Sequence, residues 1–208
     1  MKLLLPVFSA VLVITSCSET SSDSSKKAEI SVADYDQNIT LDNDFILPQP
    51  ITLIEAFSSA GLKFEKGITN PLANKDKYAV KADQLFNVGT YSTDLAYCIL
   101  SNQTQEAAEY LSAIQAVGSK AGLESVFSDE KLIEQFEKNL DNKEKLTGLV
   151  YDLQEKLDDY LQDNDLRHLA AIQFAGAWSE GLYIACSQWK DKVGADEKIN
   201  TAIADQMN

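Results

Sequence analysis

From Thr52 to the carboxyl end, apolar residues recur at spacings of three and four, the period of helices that bury one face. Thr52 and Glu55 have capping-box spacing and predict a short helix that stops at Gly61. After Asn70-Pro71 a longer helix is predicted from near Asn74, carrying Tyr78, Leu85, Val88, Leu95 and Ile99 inward. Thr104 is placed to cap a third, with Ala108, Leu111, Ile114 and Val117 on one face and Gly122 past its end. Ser128 is the expected cap of a segment through Leu132, Ile133, Phe136 and Leu140, which breaks at Asp141-Asn142. The next helix spaces Leu146, Leu149, Val150, Leu153, Leu157 and Leu161 as one stripe; a long one follows from Asp165 to Trp189, and a tail helix from Ala195 to Ala204. Strand signals are nearly absent. The expected fold is therefore all-α, an antiparallel bundle of about five to seven helices joined by short loops.

The first residues follow another pattern. Lys2 precedes an apolar run from Leu3 to Ile14, which ends in Thr15, Ser16 and Cys17. The run is too short to span a bilayer, for which about 20 apolar residues are needed. It has the layout of an export signal, and Ile14-Thr15-Ser16-Cys17 is similar to a bacterial lipobox, whose cysteine receives a diacylglycerol thioether. The competing reading is an ordinary secretory signal with an incidental thiol. The lipobox divides the chain into a signal peptide at 1–16, a lipidated Cys17 with tether and arm at 17–49, and a helical domain at 50–208. It implies a cell-envelope protein anchored, most simply at the outer membrane, through acyl chains such as palmitate.

Ser18 to Lys27 contains no large apolar residue and cannot offset the entropy of ordering, so it reads as a tether. From Ala28 to Pro50 the apolar residues lack a helical period and suggest an extended arm. Asp34, Asp36 and Asn38 have the alternate spacing of a calcium loop, but Ile39 and Phe45 stand where the turn glycine and bidentate glutamate belong. No metal is expected there, and no cofactor anywhere in the chain.

Charge narrows the partners. The chain has 18 Lys+Arg against 32 Asp+Glu, a formal charge of −14, and loss of Lys2 with the signal makes it more negative still. Arg167 is its only arginine. Nucleic acid, which demands clustered bases, is excluded, and so is electrostatic docking on anionic lipid, which leaves the acyl anchor as the membrane contact.

Within the domain, Gly89-Thr90-Tyr91-Ser92-Thr93-Asp94-Leu95 aligns with Gly176-Ala177-Trp178-Ser179-Glu180-Gly181-Leu182 at an offset of 87 positions. Glycine, aromatic, serine and leucine coincide, the mark of an internal duplication with two quasi-equivalent helices. Glycine at i and serine at i+3 make a shallow notch, and a helical glycine costs about 1 kcal/mol against alanine unless a close contact compensates. Two readings are open: Gly89, Tyr91, Ser92, Leu95, Gly176, Trp178, Ser179 and Leu182 form a packing seam, or Tyr91 and Trp178 wall a ligand pocket with Ser92 and Ser179 as its hydrogen-bonding groups.

Cys98 and Cys186 lie in apolar helix and are expected to be two buried thiols, with a disulfide as the alternative outside the cytosol. Neither has redox or zinc spacing. His168 is the only histidine; with Arg167 it stands beside Asp158, Asp159, Asp163 and Asp165 and reads as a solvated helix end rather than a cation site. No catalytic residue is assigned, since no carboxylate pair is singled out by spacing.

Three segments carry a resemblance: Gly89-Thr90-Tyr91-Ser92-Thr93-Asp94-Leu95-Ala96-Tyr97, Phe136-Glu137-Lys138-Asn139-Leu140-Asp141-Asn142-Lys143 and Gly176-Ala177-Trp178-Ser179-Glu180-Gly181-Leu182-Tyr183. Over most of Ala82 to Ala185 the chain resembles an uncharacterised all-helical bacterial cell-envelope lipoprotein family. The resemblance implies a fold and brings no activity or site residues. The functional expectation is a non-enzymatic interaction or assembly module with an envelope protein as partner; the alternative is a binding protein for a small molecule held between the duplicated helices.

Overall fold

A computed structural model describes residues 49–191, 194 and 196–206. The lipobox, the tether and the Asp34-Asp36-Asn38 triplet lie outside the described residues. Inside them the fold is all-α, with no strand. The helices are α1 (Pro50–Ser59), α2 (Lys81–Leu100), α3 (Thr104–Lys120), α4 (Glu124–Phe127), α5 (Glu130–Lys138), α6 (Lys143–Asp163), α7 (Arg167–Trp189) and α8 (Glu197–Ala204).

Local chemistry sets the boundaries, and several differ from expectation. Pro50 opens α1, where its missing N–H costs nothing. The predicted capping box does not form: Thr52 Oγ1 donates to Gln49 O at 2.7 Å, and Glu55 accepts from Tyr151 OH at 3.1 Å. Gly61, at φ +105°, ends this turn as predicted. The helix predicted from Asn74 starts instead at Lys81, after a 3₁₀ turn at Leu72–Asp76. Side chains compete with helix here: Asn74 Nδ2 donates to Asn70 Oδ1 at 2.9 Å, and Gln84 Nε2 to Tyr78 O at 3.1 Å, so residues 61–80 form a strap across the helices. Thr104 is the first residue of α3 rather than its cap, and Asp129, not Ser128, caps α5 by accepting from Lys131 and Leu132 N–H at 3.0 and 3.2 Å. The α6 stripe is buried at all six predicted positions.

Short turns make sequence neighbours antiparallel: Ser101, Asn102 and Gln103 link α2 to α3, and Asn164, Asp165 and Leu166 link α6 to α7. α2 and α7, by contrast, run parallel at the centre. Thr90 meets Gly176, Asp94 meets Glu180, and near the far end Tyr97 OH and Gln188 Nε2 both donate to Lys63 O, at 2.7 and 2.6 Å. Contacts advance in the same direction along both helices. α1, α3 and α6 close around the pair, and Phe57 of α1 meets the buried Trp189 ring edge-on at 5.7 Å.

Candidate functional site

The duplicated glycines face each other. A Cβ on Gly89 would stand 1.9 Å from Gln173 O, and one on Gly176 would stand 1.9 Å from Phe86 O. Each glycine thus meets the carbonyl three residues before the other, a reciprocal contact with local two-fold character. Backbone touches backbone at this point, where any side chain would force the helices apart. Across the same line Thr90 Oγ1 lies 3.4 Å from Gly176 O, and Thr93 Oγ1 donates to Ala177 O at 3.1 Å. Gly181 instead makes room for a side chain of α1, since a Cβ there would stand 2.3 Å from Leu53 Cδ2.

The other residues of the aligned segments diverge. Tyr91 is fully buried between Tyr78 and Tyr110, with ring centroids at 6.3 and 6.0 Å, and its hydroxyl donates to Pro71 O at 3.3 Å. Trp178 does not face it; partly buried, it donates from Nε1 to Gln206 O at 2.9 Å, beside α8. Ser92 donates to Val88 O at 2.7 Å and, with Leu95, borders a void of about 10 Å³ toward α6, room for a single water. Ser179 is exposed, and Leu182 packs half-buried against the core. The quasi-symmetry is therefore one of backbone approach and not of side-chain environment. Cys98 and Cys186 are free thiols; Cys98 is buried as expected, but Cys186 is exposed, because it falls on the outer face of α7. His168 is exposed.

Beside the seam the structure brings together a group of polar residues that periodicity did not single out. Asp94 of α2, 0 % exposed, and Glu180 of α7 stand within hydrogen-bonding reach of each other. Asn70 N–H of the strap donates to Asp94 Oδ2 at 3.2 Å. Asp94 Oδ1 and Glu180 Oε1 are both buried without a hydrogen-bond donor. Tyrosines tie the strap down around them: Tyr110 OH bonds Thr69 Oγ1 at 2.6 Å and Asn70 O at 3.1 Å, while Asn70 Nδ2 donates to Tyr78 OH at 3.0 Å and Asn87 Oδ1 at 3.3 Å. Among the described residues the ion pairs Lys120–Asp76, Lys138–Glu134 and Lys156–Asp129 involve neither carboxyl.

Electrostatics follows from burial. Desolvation first, then the Glu180 charge, holds Asp94 well above the usual carboxylate range, against the opposing pull of the Asn70 N–H. Desolvation pushes Glu180 up to about 7, against its hydrogen bonds to Asp94 and Asn70. The same burial pushes the Tyr91 and Tyr110 hydroxyls up, so both remain protonated donors. Among the described residues no group of three or more His, Cys, Asp or Glu is placed to hold a metal.

One signal for Asp94 was in the sequence. It directly precedes Leu95-Ala96-Tyr97-Cys98-Ile99, a run apolar on every face, so that stretch of α2 had to be buried all round. Glu180 gave no such sign.

The fold and site define a class: an all-α domain built on a parallel pair of glycine-notched helices, with a buried carboxyl pair under a tyrosine-bound strap. No family model, no curated protein and no solved structure matches the chain.

Proposed function

We propose that this protein is a lipid-anchored helical domain of the cell envelope, held at the outer membrane through an acylated Cys17, and that it serves as a non-enzymatic interaction or assembly module. The observation that carries the anchor is the apolar run from Leu3 to Ile14 followed directly by Thr15, Ser16 and Cys17. In support, no helix among the described residues is long and apolar enough to cross a membrane. The likeness of three segments to a helical envelope-lipoprotein family points the same way. An interaction role is favoured over a ligand pocket between the duplicated helices because that pocket needs space where Gly89 and Gly176 meet opposing carbonyls. A partner would meet an acidic helical surface, on which Val80 and Tyr183 are the large apolar side chains most open to solvent.

The test expresses the full chain in a bacterial host and separates it by detergent-phase partition. The expected product enters the detergent phase with the mass of a diacylglyceryl-modified Cys17, and Cys17→Ala moves it to the aqueous phase. An unmodified thiol at Cys17 overturns the anchor. In-cell crosslinking of the lipidated chain should give a discrete protein adduct; a co-purifying small molecule in place of that adduct would support the binding-protein reading instead.

A further inference from the structure

Asp94 and Glu180 stand within hydrogen-bonding reach of each other, and each has one buried oxygen that lacks a donor, so the pair is short of a proton. Carboxylates only accept hydrogen bonds, so Asp94 Oδ1 and Glu180 Oε1 cannot satisfy each other when both are ionised. A single proton resolves both: a protonated Asp94 donates to the Glu180 carboxylate, and neither oxygen is left unpaired. The arrangement has the logic of paired acids that cannot both ionise at close range.

We propose that Asp94 and Glu180 share one proton and act as a pH-sensitive latch, which holds the strap at residues 61–80 onto α2 and α7 through Asn70. Among the described residues the groups that face the pair offer it no cation. On α2 they are Tyr91 and Cys98, on α3 Tyr110 and on the strap Asn70; burial holds Tyr91, Cys98 and Tyr110 in their neutral forms, and the Asn70 amide carries no charge. The strap reaches the pair by one backbone N–H; beside that bond tyrosine hydroxyls hold Thr69, Asn70 and Pro71, while Tyr97 and Gln188 anchor Lys63 at one end of the strap and Lys120 pairs with Asp76 toward the other. Lifting it would expose both carboxyls to water.

Direction follows from linkage. A carboxyl harder to ionise in the closed state than in the open one binds more protons when closed, so closure is favoured at low pH and weakens as pH rises. For Glu180 this window runs from its ordinary value near 4.5 up to about 7, and burial shifts Asp94 in the same direction. Above that window the closed pair still holds the one shared proton that the open pair has lost, so closure goes on weakening until that proton leaves as well.

The test is amide hydrogen exchange of the full chain between about pH 5 and pH 8, corrected for the intrinsic exchange rate, with protection at Asn70 as the readout. On the order of a tenfold or larger loss of protection is expected across that interval, since one proton per pH unit is worth a factor of 10. Glu180→Gln should keep its protection at the upper pH and lose most of the pH dependence. Constant protection in the wild type, or an unchanged profile in Glu180→Gln, overturns the proposal. Should that variant not fold, carboxyl ¹³C titration of the wild type decides: Asp94 still protonated at neutral pH supports the shared proton, and both carboxyls ionised overturns it. Calcium chloride that restores protection at pH 8 and shifts both carboxyl resonances would also overturn it, assigning the pair to a cation.

Discussion

Glycine plays opposite parts at different positions of this chain. At Gly89 and Gly176 a methyl group has no room, because the opposing atom is a backbone carbonyl that cannot rotate away. Gly89→Ala and Gly176→Ala should each destabilise by about 3 kcal/mol or more, well beyond the roughly 1 kcal/mol that alanine gains in helix propensity. Gly148, in the exposed face of α6, has nothing within 4 Å of its would-be Cβ. There alanine should raise stability by about 0.5–1 kcal/mol. Urea denaturation of the three variants checks both signs, and a seam looser than described would show as a mild loss at Gly89 and Gly176. Thiols divide similarly. Cys186 is exposed and should react with a maleimide in the native state, whereas Cys98, whose ionisation burial strongly opposes, should react only on unfolding. Mass mapping of the labelled site decides, and native labelling of Cys98 would contradict its place in the core.

Helices with one wet face were legible because their period is written in the alternation of leucine and charge. The α6 stripe was readable at every position, and α7 was placed to within two residues of its start. Ends were less legible: caps depend on which of two adjacent polar residues turns inward, and Asp129 rather than Ser128 accepts the α5 N–H groups. The end of the strap, from Asn74, was misread as helix because Tyr78 falls on the apolar period of α2, while what holds it is the side-chain network of Asn70, invisible to periodicity. The seam was legible as paired glycines, but Trp178 as a wall was not borne by the geometry, since its direction depends on where α8 lies. That contact is testable. Truncation after Lys190 should remove the cover from Trp178, shift its fluorescence to the red and cost about 1–3 kcal/mol through loss of the buried Ile199 contact. In Trp178→Phe the same truncation should leave the emission unmoved; a shift that persists would come from Trp189 and mean that the core itself had loosened.

The molecule as a whole carries a formal charge of −14, spread over a surface where the described ion pairs are few and exposed. Such pairs contribute little, so the larger electrostatic effect is mutual repulsion among carboxylates, which folding brings closer together. Added sodium chloride screens that repulsion. The melting temperature at pH 7.5 should therefore rise by a few degrees between about 20 mM and 300 mM salt, as the Debye length falls from roughly 20 Å to below 10 Å. A flat or falling melting temperature would show that the surface charges are too widely spaced to matter. The buried pair behaves differently, because salt cannot enter to screen Asp94 and Glu180. Stability that still declines between pH 5 and pH 8 at the higher salt would locate that decline in the core. Decline that vanishes with salt would return it to the surface and leave the carboxyl pair electrically silent.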